Sequence, residues 1–384
     1  MALKRLNIYF VLGEESGDAL GADLLPYLKS QAKALKRELH VEGLAGDRLS
    51  QAGVKSLFDI DDIAVMGITA VLARLPKIIN RVQQTVADIV EKRPDMIVLI
   101  DSPDFTHAVA KRVRKKAPDI PIVNYVCPSV WAWRQSRAKT MRSYIDHVLA
   151  ILPFEPDTLK KLEGPSATYV GHPLVNEIAS IKPTPQKTND KPVVLVLPGS
   201  RGSEVKRMLR PFGETMSLLK QRGHEFQVVI PAVSRMREYI ERETTNWDVK
   251  PLIVSSENNA ELFARAHVAL AASGTVTLEL ALHRVPMVVA YILDPVATAA
   301  SHLIKIWSPS IPNLITDQML ISEEFNKMVD PQRLVRYLEE LMADGVARKR
   351  QLTGFEEVAQ KMKTKRAPGD VAAEAILKQL SDRA

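Results

Sequence analysis

The chain has 384 residues, 46% of them apolar and 25% charged, the balance of a soluble globular protein and a length that favours two domains over one core. It has no run of the ~18 uncharged apolar residues that a membrane-spanning helix needs, too short an apolar N-terminus for a secretory signal, and one cysteine, Cys127, which excludes an internal disulfide, fits the cytosol and reads as a small buried side chain. An excess of 52 basic over 45 acidic side chains, +7 in all, suits an anionic partner: a phosphorylated ligand, a nucleic acid or a membrane surface.

Residues 6–12 form a short apolar strand that ends at Gly13-Glu14-Glu15-Ser16-Gly17-Asp18 and continues into a helix. Glycines 13, 17 and 21 fall four apart and would line one helix face. This is the strand–turn–helix opening of a Rossmann-like half, but two glutamates make it a poor phosphate cradle. Glu14 and Ser16 therefore read as the floor of an acceptor site, or the turn serves packing alone. A second strand is expected over 41–45. Asp59-Ile60-Asp61 has the D-x-D pattern of some metal-binding transferases, yet capping of the apolar helix behind it explains both acids.

Residues 63–87 contain no acid. Val65, Ile68, Leu72, Leu75 and Ile79 keep helical spacing, Met66 widens the stripe, and Arg74, Lys77 and Arg81 form a cationic side. Pro76 is expected to break the segment into two helices. Such a stripe is either core or a surface lying in a membrane interface. It is more apolar than one buried face requires, which favours the membrane for Val65, Met66, Ile68, Leu72 and Leu75.

Residues 95–100 are a central strand, fully apolar after its first residue, ending at Asp101-Ser102-Pro103-Asp104. A carboxylate at that end of a parallel sheet sits where such sheets bind ligands, so Asp101 is a candidate general base; its alternative role is to cap the next helix. Strand 122–126 leads to Pro128-Ser129-Val130-Trp131-Ala132-Trp133-Arg134, where Trp131 and Trp133 beside Arg134 suggest a platform for a sugar ring or acyl chain. Arg137, Lys139 and Arg142 add charge. His172, after strand 167–170, is expected in an interdomain cleft; no second ligand stands at zinc spacing.

Residues 181–192 are rich in Pro, Lys and Thr and read as a linker. The pattern then restarts. Strand 193–197 turns through Pro198-Gly199-Ser200-Arg201, which lacks the P-loop pattern but offers Arg201 as a bidentate donor to a diphosphate. Strand 268–272 breaks at Ser273, Gly274 and Thr275 and passes into a helix carrying Glu279. A helix start behind a parallel strand accepts an anion, and Glu279, which would repel a phosphate, suits a ribose diol. An ordinary strand–turn–helix with a solvent-facing Glu279 would look the same. Asn313 lies in a Pro-Asn-Leu loop expected to return to the cleft, and residues 331–341 and 370–380 are helical. The domains are thus 1–180, a linker 181–192, 193–355, and a helical tail 356–384 expected to pack toward the first domain.

These motifs resemble one family. G-E-E-S-G-D at 13–18, I-D-S-P-D-F at 100–105, P-S-V-W-A-W-R at 128–134, L-P-F-E at 152–155, V-G-H-P at 170–173, L-P-G-S-R-G-S-E-V at 197–205, A-S-G-T at 272–275 and P-N-L at 312–314 are similar, in order and over nearly the whole chain, to those of lipid-A-disaccharide synthases. The resemblance implies an α/β fold of two Rossmann-like domains facing across a cleft, the GT-B architecture. It implies an inverting glycosyltransferase that joins UDP-2,3-diacylglucosamine to 2,3-diacylglucosamine 1-phosphate, giving a β-1,6-linked disaccharide phosphate and UDP in lipid A synthesis. It implies no bound metal or other cofactor, no nucleic acid, and a cytoplasmic enzyme peripheral to the inner leaflet of the membrane, with a homo-oligomer left open. Asp101 then falls at the catalytic base, and Arg201, Glu279 and Asn313 at the UDP-sugar site. One departure is Glu324-Phe325-Asn326, where members commonly carry Glu-Leu-Leu-Gln. Two other readings stand beside this one. A UDP-N-acetylglucosamine 2-epimerase would share the fold and cradle but has no use for the apolar stripe or the Trp131–Trp133 loop. A non-catalytic lipid or nucleic-acid binder would rest on the net charge alone, which is spread over both halves.

Overall fold

The computed structural model describes residues 4–63, 68–179, 191–256, 259–293, 298 and 305–381. The described strands form two six-stranded sheets, every pairing parallel. The first contains β1 (Lys4–Leu12), β2 (Arg37–Gly43), β3 (Met96–Ile100), β4 (Ile122–Tyr125), β5 (His147–Ala150) and β6 (Ser166–Tyr169), in the order β2-β1-β3-β4-β5-β6. The second contains β7 (Val193–Leu197), β8 (Gln227–Ala232), β9 (Leu252–Ser255), β10 (Val268–Ala271), β11 (Met287–Tyr291) and β12 (Ser322–Phe325), in the order β12-β11-β10-β7-β8-β9. The central strands β3 and β7 are buried at every residue, as their unbroken apolar runs require between two helical layers.

Strand order reverses once in each sheet. The chain leaves β1 toward β2, then returns to lay β3 on the other side of β1; likewise β8 and β9 lie on one side of β7 and β10 on the other. Loops that follow the strands flanking a reversal leave in opposite directions and open a crevice at the carboxyl edge. The Gly13–Ser16 and Asp101–Ser102 turns flank the first reversal, the Gly199–Arg201 and Ser273–Thr275 turns the second.

The chain divides into two compact units, Met1–Pro173 with Thr364–Ala384, and Leu174–Lys363. These borders differ from 180 and 355. A border at 355 would cut the helix Val346–Met362, which is continuous and buries Phe355, Val358 and Met362. The helix Pro368–Ser381 packs on the helix Glu15–Ala34, where Gln31 Nε2 donates to the Asp370 carbonyl at 2.9 Å. The expected linker falls largely on 180–190, outside the described residues. The second strand runs over Arg37–Gly43, earlier than 41–45.

Pro76 does not divide its segment: one helix runs over Ile68–Lys92 with Pro76 inside it. A proline removes a single intrahelical hydrogen bond, and long helices anchored at both sides of that turn survive the loss. Val65 and Met66, and the side chains of Ile68 and Leu72, lie outside the described part. Leu75 and Ile79 are each 42% exposed, whereas Val82, Val86 and Ile89 are buried against the first sheet. The cationic side is less free than its sequence suggests, because Lys77 and Arg81 both pair with Asp62 at 2.5 Å. Asp59 Oδ1 accepts from the Asp61 amide at 3.0 Å, the capping role expected of that acid.

Below the Asp101 turn, His107 is buried with Nε2 3.2 Å from Asn124 Oδ1 and Nδ1 3.2 Å from the Tyr144 hydroxyl. Asn124 Nδ2 donates to the Val126 carbonyl, which fixes the amide and makes Oδ1 the acceptor for a neutral Nε2–H imidazole. Burial, then the nearby Arg137 and Lys111 charges, lower the His107 pKa to about 3, against the Asn124 bond that raises it. A folded-state value below the unfolded one contributes stability that is present above pH 6.5 and lost as pH falls toward 3. That component is roughly 5 kcal/mol across the window. His107→Gln, which cannot titrate, should flatten the fall in unfolding free energy between pH 6.5 and 4 measured by denaturant titration; parallel curves for both proteins would contradict the buried neutral imidazole.

Candidate functional site

The first reversal is built by close approach. A Cβ on Gly17 would lie 2.9 Å from the Ile100 carbonyl oxygen, so only glycine lets the helix Glu15–Ala34 press onto the end of β3. That approach brings Ser16 Oγ within 2.7 Å of Asp101 Oδ2, to which it donates. Asp18, in the same motif, turns inward instead and accepts from the amides of Gly46, Arg48 and Leu49, capping the helix Asp47–Gln51. Glu14 precedes the helix at its N-cap position, without a side-chain cap bond.

This edge is also where the backbone is strained. Asp101 and Ser102 have φ of 56° and 43°, and across the sheet edge Val126 and Arg134 have φ of 78° and 51°. A positive φ costs a non-glycine residue about 1–3 kcal/mol and persists only where neighbours over-determine it. They do so here. The Asp101 amide donates to the Tyr125 carbonyl at 3.1 Å, Thr106 Oγ1 to the carbonyls of Asp101 and Ser102, and Arg137 Nη2 to the Pro103 carbonyl at 2.8 Å. Arg137, counted in the sequence only as added charge, is therefore a brace of the Asp101 turn.

Trp131 is placed differently from a ligand platform. Its ring packs edge-on against Phe154, with centroids 5.4 Å apart, and its Nε1 donates to Glu155 Oε1 at 3.2 Å. Glu155 is buried and its other oxygen accepts from the Ile151 and Leu152 amides at 3.0 Å each. Burial raises the Glu155 pKa to about 7, against these three donors. What the loop exposes is Trp133, 44% accessible, with the Arg134 guanidinium stacked 4.2 Å over its ring. His172 follows β6, and burial lowers its pKa to about 4.

The second reversal holds a cavity of about 500 Å³ between the β7 and β10 turns, lined among others by Gly199, Arg201, Ser273, Gly274, Thr275 and Glu279. Gly274 has φ of 151° with open space around its Cα, so the backbone there can be reached closely. A larger hollow of about 720 Å³ on the same unit, lined by Gly213, Trp247 and Pro331, lies on the helical side, away from both turns, and size alone does not make it the ligand site. Arg201 Nη1 pairs with the buried Glu204 at 2.9 Å, and Tyr291 Oη donates to the same oxygen at 3.2 Å. The helix after the Ser273–Thr275 turn is Val276–Leu282. Arg235 Nη2 donates to the Ser200 carbonyl at 3.2 Å, a second cation beside this turn that no sequence motif marks.

Asn313 does not line that cavity. It is fully buried: Oδ1 accepts from the Leu320 and Ile321 amides at 3.0 Å each, and Nδ2 donates to the Ile321 carbonyl and Glu323 Oε1 at 3.2 Å each. Glu323 also accepts from Ser308 Oγ at 2.6 Å and the Ser310 amide at 3.1 Å. The Pro309 carbonyl between them accepts from Ser273 Oγ at 3.1 Å. Asn313 thus supports the cradle from behind, through the 308–310 loop. In the divergent segment, Glu324 pairs with Arg333 at 2.6 Å and Asn326 Oδ1 accepts from the Leu293 amide at 2.9 Å.

A lipid-A-disaccharide synthetase family model matches residues 8–376. Lipid-A-disaccharide synthases from Rhodopseudomonas palustris strain HaA2 and Nitrobacter winogradskyi are each 42% identical to the chain, covering 98% of it and 96% of their own length. The chain belongs to the lipid-A-disaccharide synthetase family. Among solved structures it is similar to MurG of Acinetobacter baumannii (TM-score 0.55, 13% identity, 99% of both chains). It is also similar to a UDP co-structure of Staphylococcus aureus MnaA (0.62, 13%, covering 98% of this chain and 96% of that one) and to the Neisseria meningitidis UDP-GlcNAc 2-epimerase bound to UDP-GlcNAc (0.56, 14%, 99% and 100%). Likeness that distant shows the fold, two Rossmann-like domains of the GT-B type.

As a lipid-A-disaccharide synthetase the chain is a glycosyltransferase of lipid A synthesis. Among the described residues of this synthetase no helix is long and apolar enough to cross a membrane. Its Asn313→Ala variant should lose roughly 2–5 kcal/mol of stability, because the Leu320 and Ile321 amides are left buried without acceptors. Urea unfolding checks this; a variant of unchanged stability that had lost UDP binding would return Asn313 to the ligand.

Proposed function

We propose that the enzyme transfers 2,3-diacylglucosamine from UDP to 2,3-diacylglucosamine 1-phosphate with inversion at the anomeric carbon, forming a β-1,6 bond. The donor's nucleotide occupies the cavity beside Ser273, Gly274 and Thr275. The observation that carries the reading is the pairing of two reversals with opposite equipment: a carboxylate at the first, Asp101, and a cation-bearing turn at the second, Arg201. Inverting transfer needs both, a base for the acceptor hydroxyl and a sink for the charge of the leaving diphosphate. The Ser16 hydroxyl bond orients the Asp101 carboxylate. Arg201 is held by Glu204 and is within a side-chain rotation of the cavity that both line. Bidentate guanidinium contacts to phosphate oxygens then stabilise the departing UDP. Glu279, on the cavity wall, takes the ribose diol.

The acceptor carries acyl chains, and we place its delivery at the inner leaflet. Leu75 and Ile79 on the helix Ile68–Lys92 support this, with Arg74 exposed beside them. The electrostatic attraction is smaller than the sequence implies, since Lys77 and Arg81 are paired with Asp62. Apolar insertion therefore carries most of the binding.

Asp101→Ala should reduce turnover by ~10²–10⁴-fold while UDP binding measured calorimetrically persists. Turnover within a few-fold of wild type removes Asp101 from the mechanism. Arg201→Ala and Glu279→Ala should each weaken UDP by about 1.5–3 kcal/mol, as expected for a charged hydrogen bond; unchanged affinity in both would displace the nucleotide from this cavity. The double variant Leu75→Ser, Ile79→Glu should float less well with anionic vesicles at an unchanged melting temperature. A collapsed melting transition would instead mean that these side chains are core.

A further inference from the structure

We infer that Glu155 is a positioning residue for the acceptor, acting through Trp131 on the loop that carries Trp133 and Arg134; this rests on the reading that this edge of the first sheet receives the acceptor. Glu155 opens the helix Glu155–Lys161 at the carboxyl end of β5. It is 2% exposed and accepts three N–H groups from two different loops. Two come from the Ile151 and Leu152 amides of its own turn, and the third from the Trp131 indole of the β4 loop. The carboxylate is thus a cross-tie between neighbouring strand ends.

The tie matters because of what lies at its far end. The β4 loop is strained at Val126 and Arg134, with φ of 78° and 51°, and such conformations relax when their restraints are cut. Trp133 and Arg134 lie two and three residues beyond Trp131, and stack on one another at 4.2 Å toward solvent. The loop's next segment braces the Asp101 turn through Arg137 and Pro103. Trp131 is therefore the inner anchor and Trp133–Arg134 the outer, ligand-facing pair. Losing the anchor should spread the outer pair over several positions without removing any group that touches the donor. The consequence is specific: weaker acceptor capture, with donor binding and the chemical step intact.

The experiment is a double-variant cycle with Glu155→Gln and Trp131→Phe, following UDP release while 2,3-diacylglucosamine 1-phosphate and UDP-2,3-diacylglucosamine are varied in turn. Glutamine keeps the shape but turns an amino group toward one of the three donors. Phenylalanine keeps an aromatic ring against Phe154 and removes the indole N–H together with the five-membered part of the ring. Glu155→Gln should raise the acceptor KM about tenfold with kcat and donor KM within about twofold. Trp131→Phe should shift the acceptor KM in the same direction, and the double variant should be no worse than Glu155→Gln alone. Equal rises in both KM values, or effects that multiply in the double variant, overturn the positioning role. If Glu155→Gln does not fold, Trp131→Phe decides alone, and an unchanged acceptor KM overturns it. Trp133→Ala and Arg134→Ala separate the two levels. If both leave the acceptor KM unchanged, the acceptor reading of this edge fails. If they raise it while Glu155→Gln does not, only the cross-tie is wrong.

Discussion

Parallel strands joined by right-handed crossovers cannot be added to both sides of a starting strand without one reversal of direction, and each sheet of this chain has one such reversal. In the first sheet the reversal lies between β1 and β3, in the second between β7 and β10. Helices leave on opposite faces there, so no helix covers the gap between the strand ends. A crevice is a geometric by-product of the topology, and only a few residues need to be chosen to make it a site. At the first, glycine at 17 and a carboxylate at 101 suffice to set a hydroxyl against an acid; at the second, glycine at 274 opens the backbone and Arg201 supplies charge.

The two crevices are stabilised by different means. The Asp101 edge holds non-glycine residues at positive φ and restrains them with hydrogen bonds from Thr106, Arg137 and the β4 strand end. The Ser273 turn is relaxed at its glycine and is supported from behind by a buried polar network running from Asn313 through Glu323 and Ser308 to Pro309. Buried networks of this kind are costly when one member is removed and rigid when all are satisfied. Rigidity at the first site suits an oriented acid–base step. At the second it lets a short helix and an open turn keep their shape around the cavity.

Much of this was legible in the amino-acid order because it depends on neighbours in the chain. Fully apolar runs at 96–100 and 193–197 announce central strands, and a polar, glycine-bearing break directly after a strand announces a ligand edge. What was illegible depends on partners far away. Asp62 pairs with both Lys77 and Arg81 and offsets one of their two charges, so an acid-free segment is not an acid-free neighbourhood. Trp131 faces Glu155 rather than solvent, while Trp133 two residues on is exposed; alternation in an irregular loop carries no phase from which to choose between them. Asn313 sits in the expected loop with its amide spent on buried backbone and Glu323, and Pro76 sits inside one continuous helix. Family resemblance points to the loop; only three-dimensional hydrogen bonding separates a residue that lines the cavity from one that holds its wall in place.

Backbone amide hydrogen exchange over the whole chain, with and without UDP, tests the division of labour between the two crevices most directly. UDP should slow exchange in peptides covering 198–205 and 272–279 and leave those covering 13–18 and 100–104 unchanged. Protection of the Gly13–Asp18 turn with no change at 272–279 would contradict it and move the nucleotide to the first sheet.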